Sequence, residues 1–198
     1  MMQKLGYLPM TPSQTGGPYV HIGTTPEAAG LDPSPFEQLG KTIFEGNAKG
    51  ERIALTGRVI DGHGAALTDV MLEIWQADAN GLYAGQEGAD PAFYGFARRA
   101  VDFTTGAFRF ETIKPGAVKQ YDGSYAPPHV TFWLSARGIN TGLHTRMYFP
   151  EDDLSGDALL ARVQHKDRLK TLIAEKTEDG YRFDIRLQGD DETIFFDI

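Results

Sequence analysis

The sequence predicts an all-β fold: an antiparallel β-sandwich with long loops, an extended N-terminal arm and one short helix. Three observations lead there. Short runs of β-branched and aromatic residues recur from residue 52 onward, each closed by a Gly, Pro, Asn or Asp turn. Twelve Phe, eight Tyr and two Trp are spread along the chain and not clustered, which suits pleated, half-buried surfaces. The 23 Gly and 11 Pro are many for 198 residues but fewer than in a low-complexity chain, so they are read as turns. A chain of this length that is 41% hydrophobic supports roughly one domain with a core of one or two packed layers.

The elements follow in order. Residues 1–35 bring turn formers so close together that no periodic element fits, as at Thr11-Pro12, Gly16-Gly17-Pro18 and Asp32-Pro33-Ser34-Pro35. An extended arm is expected there, and its apolar stretch Tyr19-Val20-His21-Ile22 argues that part of it packs on something. Residues 1–50 are assigned to this arm and its connection, and residues 51–198 to the sandwich domain. Strands are expected at 53–60 (IALTGRVI), 70–75 (VMLEIW), 107–113 (AFRFETI), 130–136 (VTFWLSA), 145–149 (TRMYF) and 181–187 (YRFDIRL). The connection over 76–101 is too long for a hairpin, and a loop of that length in a small domain is usually functional or interfacial. The one helical candidate is 155–164, where Leu159, Leu160 and Val163 can share a face and Asp157 suits the first turn. Trp75 and Trp133, on separate strands, are expected to be core or interface aromatics.

Composition removes several classes of function. Nineteen Lys and Arg face 27 Asp and Glu, a formal net charge of −8 that repels phosphate backbones, so no nucleic acid partner is expected. The absence of cysteine excludes disulfides, thiolate zinc cages, iron–sulfur clusters and a thiol nucleophile, with the cytoplasm as the default compartment. The opening residues lack an apolar run of signal-peptide length, and no stretch is apolar for long enough to span a membrane. The five histidines include no H-E-x-x-H or H-x-H pair, and neither a G-x-S-x-G elbow nor a phosphate loop occurs.

Two stretches are more specific. Residues 73–83 read EIWQADANGLY, followed after a gap by FETIKPGAV at 110–118, and residues 127–132 read PPHVTF. Together they resemble the intradiol ring-cleavage dioxygenases, whose pattern is E-I-W-Q-x-x-x-x-G-x-Y, then F-x-T-I-x-P-G-x-Y, then P-A-H-I-H-F. That resemblance implies a ferric ion held by two tyrosinates and two imidazoles, a hard cation that keeps phenolates deprotonated although free Tyr ionises near pH ~10. Carried over position by position, the first tyrosine matches Tyr83 and the second falls on Val118, while the first histidine matches His129 and the second falls on Thr131. Half of the ligand set is missing. Tyr121 and Tyr125, just beyond the Pro-Gly turn, are the remaining sources of a second phenolate.

A chain with this pattern is similar to the iron-free chain of the family's heteromeric members, in which homologous α and β chains pair and Fe(III) sits only in β. The resemblance implies no cofactor in this chain, no catalytic residue of its own, and a homologous β chain as partner. It further implies that Gly17, Pro18 and Tyr19 of the arm, with Arg137, help to shape a pocket for a small aromatic acid at the interface, Arg137 facing its carboxylate. Tyr83, Val118, His129 and Thr131 are then vestigial metal-site positions. Two other readings stay open at this point: an autonomous dioxygenase with a remodelled iron site, and a non-enzymatic sandwich module.

Overall fold

The structure is a computed structural model that describes residues 15–17, 19–32 and 38–197. Among these the chain forms α1 (Val20–Thr24), β1 (Arg52–Ile60), β2 (Val70–Trp75), β3 (Phe96–Ala100), β4 (Ala107–Ile113), β5 (Val118–Lys119), β6 (Tyr125–Ala126), β7 (His129–Ala136) and β8 (Leu143–Tyr148). It continues through α2 (Ala158–Arg162), a 3₁₀ helix (Lys166–Leu172), β9 (Glu175–Lys176), β10 (Gly180–Arg182) and β11 (Ile185–Arg186).

Two sheets face each other. In the first, β1 pairs antiparallel with β4 on one side and, on the other, parallel with β10 and β11, with β9 beyond β10. The second runs β3-β2-β7-β8 and is antiparallel throughout. The parallel pairings on β1 are the one departure from a purely antiparallel sandwich. The expected strand at 181–187 is interrupted because Asp184 turns its carboxylate into the ladder, where Oδ1 accepts from the Arg58 N–H at 3.1 Å.

Period-two alternation sets the core. Val130, Phe132, Leu134 and Ala136 of β7 point inward and are fully buried. Phe132 meets Phe108 and Phe110 of β4 and Phe183 from the first sheet, with ring centroids 5.4–6.2 Å apart. The intervening residues His129, Thr131, Trp133 and Ser135 therefore face outward, away from that core.

Within 76–101 lies an edge strand, β3, that sequence reasoning read as loop. Its FARRA sequence has no apolar alternation, and it is held by its charges: Arg98 pairs with Glu73 of β2, and Arg99 donates to the carbonyls of Gly40 and Lys41. The expected helix is shorter than 155–164. Asp157 is its N-cap, accepting from the N–H groups of Leu159 and Leu160. In the arm, α1 buries His21 against Thr25, whose hydroxyl lies 2.9 Å from Nδ1.

Candidate functional site

The outer face of β7 carries the candidate site. Antiparallel register sets His129 opposite Tyr148 and Thr131 opposite Arg146 on β8, with Trp75 of β2 on the other side of Thr131. Above them sits the loop that follows β2. Asp78, almost fully buried, shapes it: Oδ1 accepts from the N–H groups of Asn80 and Leu82, and Oδ2 from that of Asp90. Gly81 adopts φ +79°, and a Cβ there would lie 1.9 Å from the Ala117 carbonyl oxygen. Only glycine fits so close to the 115–118 segment. Gly116 N–H closes the contact by donating to Asp78 O at 2.8 Å.

This scaffold brings the sequence-predicted positions together. Tyr83 stacks on Trp75 (centroids 5.7 Å, 11° between planes) and its hydroxyl lies 3.4 Å from His129 Nε2. Val118, on the β5–β6 ribbon, packs with Ala77, Ala126 and Tyr83 in a small apolar cluster. The imidazole of His129 is 2.8 Å from the Pro127 carbonyl through Nδ1, which must therefore be the protonated nitrogen and leaves Nε2 as the acceptor facing Tyr83. Tyr121 and Tyr125 are exposed on the ribbon and supply no phenolate to the pocket.

Burial sets the protonation of the ring groups. Burial and then the nearby charge of Arg146 press the His129 pKa down to about 4. Burial pushes the Tyr83 hydroxyl above the ordinary phenol range, so it stays protonated at neutral pH. The same holds for Tyr148, raised by burial and by Asp157, to which its hydroxyl donates at 2.9 Å. Among the described residues no cluster of three His, Cys, Asp or Glu side chains forms a metal site.

Sequence reasoning gave Arg146, Tyr148 and Asp157 no place in the pocket, reading Asp157 only as a helix-start residue, although all three help to define it. Arg146 and Tyr148 were visible only as alternate residues of a strand, and the β7–β8 register is what sets them beside Thr131 and His129.

The other predicted positions gather elsewhere. Gly16 bridges to Arg137 at the far end of β7, and the Gly138 N–H donates to Thr15 Oγ1 at 2.7 Å. Arg137 is 68% exposed along its side chain and gives only Nε to an ion pair, 2.9 Å from Asp69. Space beside Gly17 is open, and Tyr19 is 76% exposed. Pro18 lies outside the described residues. From Thr131 to Arg137 is six residues of strand, roughly 20 Å. The arm and Arg137 therefore do not belong to the chain's own pocket.

The family model described as Dioxygenase matches residues 28–189. The chain is 46% identical to the protocatechuate 3,4-dioxygenase alpha chain of Pseudomonas putida, over 96% of this chain and 97% of that one. It is also 36% identical to the protocatechuate 3,4-dioxygenase beta chain of Burkholderia cepacia, over 84% of this chain and 77% of the relative. Among solved structures, hydroxyquinol 1,2-dioxygenase from Pseudomonas putida DLL-E4 superposes with a TM-score of 0.61 at 20% identity, covering 79% of this chain and 64% of that one, and shares the fold.

Proposed function

This chain belongs to the intradiol dioxygenase family, and from that premise we propose that it is the non-catalytic, iron-free alpha subunit of a heteromeric protocatechuate 3,4-dioxygenase. One observation carries the reading: the pocket that should hold iron keeps its walls but only half of its donors. Fe(III) needs hard, anionic oxygen and imidazole ligands. Val118 offers none and is packed into an apolar cluster, and Thr131 offers only a neutral hydroxyl, so Tyr83 and His129 stand without a second phenolate and a second imidazole. These residues do not fit the ion, and no chemical step passes through them.

On this reading the assembly cleaves protocatechuate with O₂ between its two hydroxyl-bearing carbons, giving 3-carboxy-cis,cis-muconate in the β-ketoadipate route of aromatic degradation. The ferric ion and the bond-making belong to a homologous β chain. This chain contributes walls. Residues 1–50 serve as arm and connection and 51–198 as the dioxygenase-like domain, and the complex works in the cytoplasm. Among the described residues no helix is long and apolar enough to cross a membrane.

The separation along β7 supports a role in a neighbour's pocket. Arg137 projects from a strand end roughly 20 Å from this chain's own Tyr83–His129 site, beside the arm, with its Nε ion-paired to Asp69. A planar guanidinium there suits the carboxylate of an aromatic acid. Gly17 allows close backbone approach to such a ligand, and Tyr19 continues the wall.

The test is co-expression with a β-type chain, followed by sizing, iron analysis and ring-cleavage assay. A stable complex with one iron per α/β pair and activity on protocatechuate is expected, while this chain alone is colourless and inactive. A visible tyrosinate-to-iron band or ring cleavage from the isolated chain contradicts the reading, as does a monomer indifferent to the partner.

A further inference from the structure

The pocket has lost donors, and it has also kept a charge. Arg146 sits on the outer face of β8 directly across from Thr131 and one cross-strand pair from His129–Tyr148. Its guanidinium hydrogen-bonds the Tyr148 hydroxyl, but its Nε is buried without an acceptor among the described residues. Around it stand a phenol, an imidazole that keeps its Nδ1 hydrogen on Pro127, and the Tyr148 hydroxyl that already donates to Asp157. A buried charge-bearing donor left unpaired is costly, so such an arrangement calls for a reason.

We propose that the guanidinium of Arg146 stands in for the cation: as the strand partner of Thr131, next on the same face to Tyr148, the partner of His129, it fills the ferric site with a fixed organic charge and excludes metal independently of the missing ligands. The placement follows from register alone, since two alternate residues on β8 must lie over two alternate residues on β7. The charge of Arg146 also bears on all three ring groups of the pocket, disfavouring protonated His129 and favouring ionised Tyr83 and Tyr148. A metal ion would act on these groups in the same sense. Arginine suits the purpose because its charge is permanent and it offers no lone pair to a metal. Asp157, on the far side of Tyr148, offsets part of that charge and is the one acid acting on both Tyr148 and His129. The inference stands on the pocket's own geometry and does not depend on pairing with a β chain.

The test restores a donor and then removes the charge. Full-length T131H, T131H/R146M and T131H/R146K are dialysed against cobalt(II) chloride alone, with bound metal and visible d–d absorption as readouts. Two like-signed charges held a few ångströms apart repel strongly in a partly buried site, so R146M is expected to tighten cobalt binding at least tenfold over T131H, and R146K to stay within about threefold of it. Equal affinity of T131H and T131H/R146M, whether both bind or neither does, overturns the proposal. So does an R146K variant that binds as tightly as R146M, because the guanidinium would then act by shape. If T131H does not fold, as judged by circular dichroism, the same ratio is read in the native background. Paramagnetic broadening of the His129 ring resonances by cobalt(II) should set in at least tenfold earlier in R146M than in the unsubstituted chain, and coincident titrations overturn the proposal.

Discussion

The two ends of β7 differ in a way that separates what this chain has kept from what it offers. At the His129 end the groups turn on one another: a glycine-tight loop, a stacked Trp75–Tyr83 pair, an apolar plug at Val118 and a cation at Arg146. At the Arg137 end the backbone edge is bridged by a few arm residues, an arginine projects, and the space beside Gly17 is open. The closed end resembles a site made inert, the open end a surface that lacks its ligand within the chain. On the proposed reading, the same sheet lends walls to another chain's metal while holding none of its own.

The sharpest way to break this contrast is at the closed end. Gly81→Ala forces a Cβ to 1.9 Å from the Ala117 oxygen at a positive φ, so the loop carrying Tyr83 must shift. A loss of about 4 kcal/mol in denaturant melts is expected, and an unchanged midpoint would show that this contact does not hold the pocket shut.

Acid offers the next largest effect. The folded pKa of His129, about 4, lies below its ordinary value of 6.5, so the unfolded chain binds more protons between the two. The contribution is fully present above pH 6.5 and is lost as pH falls through 4, about 3 kcal/mol in all. Glu151 adds a second decline at lower pH. Burial opposes its ionisation, but Lys114 and Tyr181 hold its carboxyl down to about 2, so that increment fades from its ordinary 4.5 downward. Melts from pH 7 to 4 on the native chain and on His129→Asn check the first window, and the variant is expected to show the shallower slope.

At the open end, Arg137→Ala in the α/β complex should raise the KM for protocatechuate about tenfold, equivalent to about 1.4 kcal/mol, with iron content unchanged. Unaltered kinetics would remove this residue from the substrate's surroundings. The smallest effect is expected for Tyr83→Phe. A contact of 3.4 Å between hydroxyl and imidazole is long, so its removal should cost less than about 1 kcal/mol and leave complex activity intact.

Much of this was readable before any coordinates, and the reasons differ by residue. Strands β4 and β7 announce themselves because they bury alternate side chains, as β7 does with Val130, Phe132, Leu134 and Ala136, while β1, β2 and β8 do so as short β-branched and aromatic runs closed by turns. Strand β3 does not, since Arg98 and Arg99 are held by pairing and carbonyl contacts and not by burial, which leaves no periodic trace. Tyr83, Val118, His129 and Thr131 could be found because motif spacing is local. Arg146 could not, because its meaning depends on a cross-strand register fixed by the turn between β7 and β8, and a sequence string does not record which residues lie opposite each other. The distance between Arg137 and the pocket was hidden for the same reason: both belong to one strand, and only the outward face and strand length reveal that they serve different places.

The most direct measurement is diffraction from the co-expressed complex on either side of the iron absorption edge. One anomalous peak per α/β pair is predicted, inside the β chain, with Arg137 and the arm of this chain bordering it and no peak near Tyr83 and His129. Stoichiometric iron lodged between Tyr83, His129 and Arg146 would contradict the account outright.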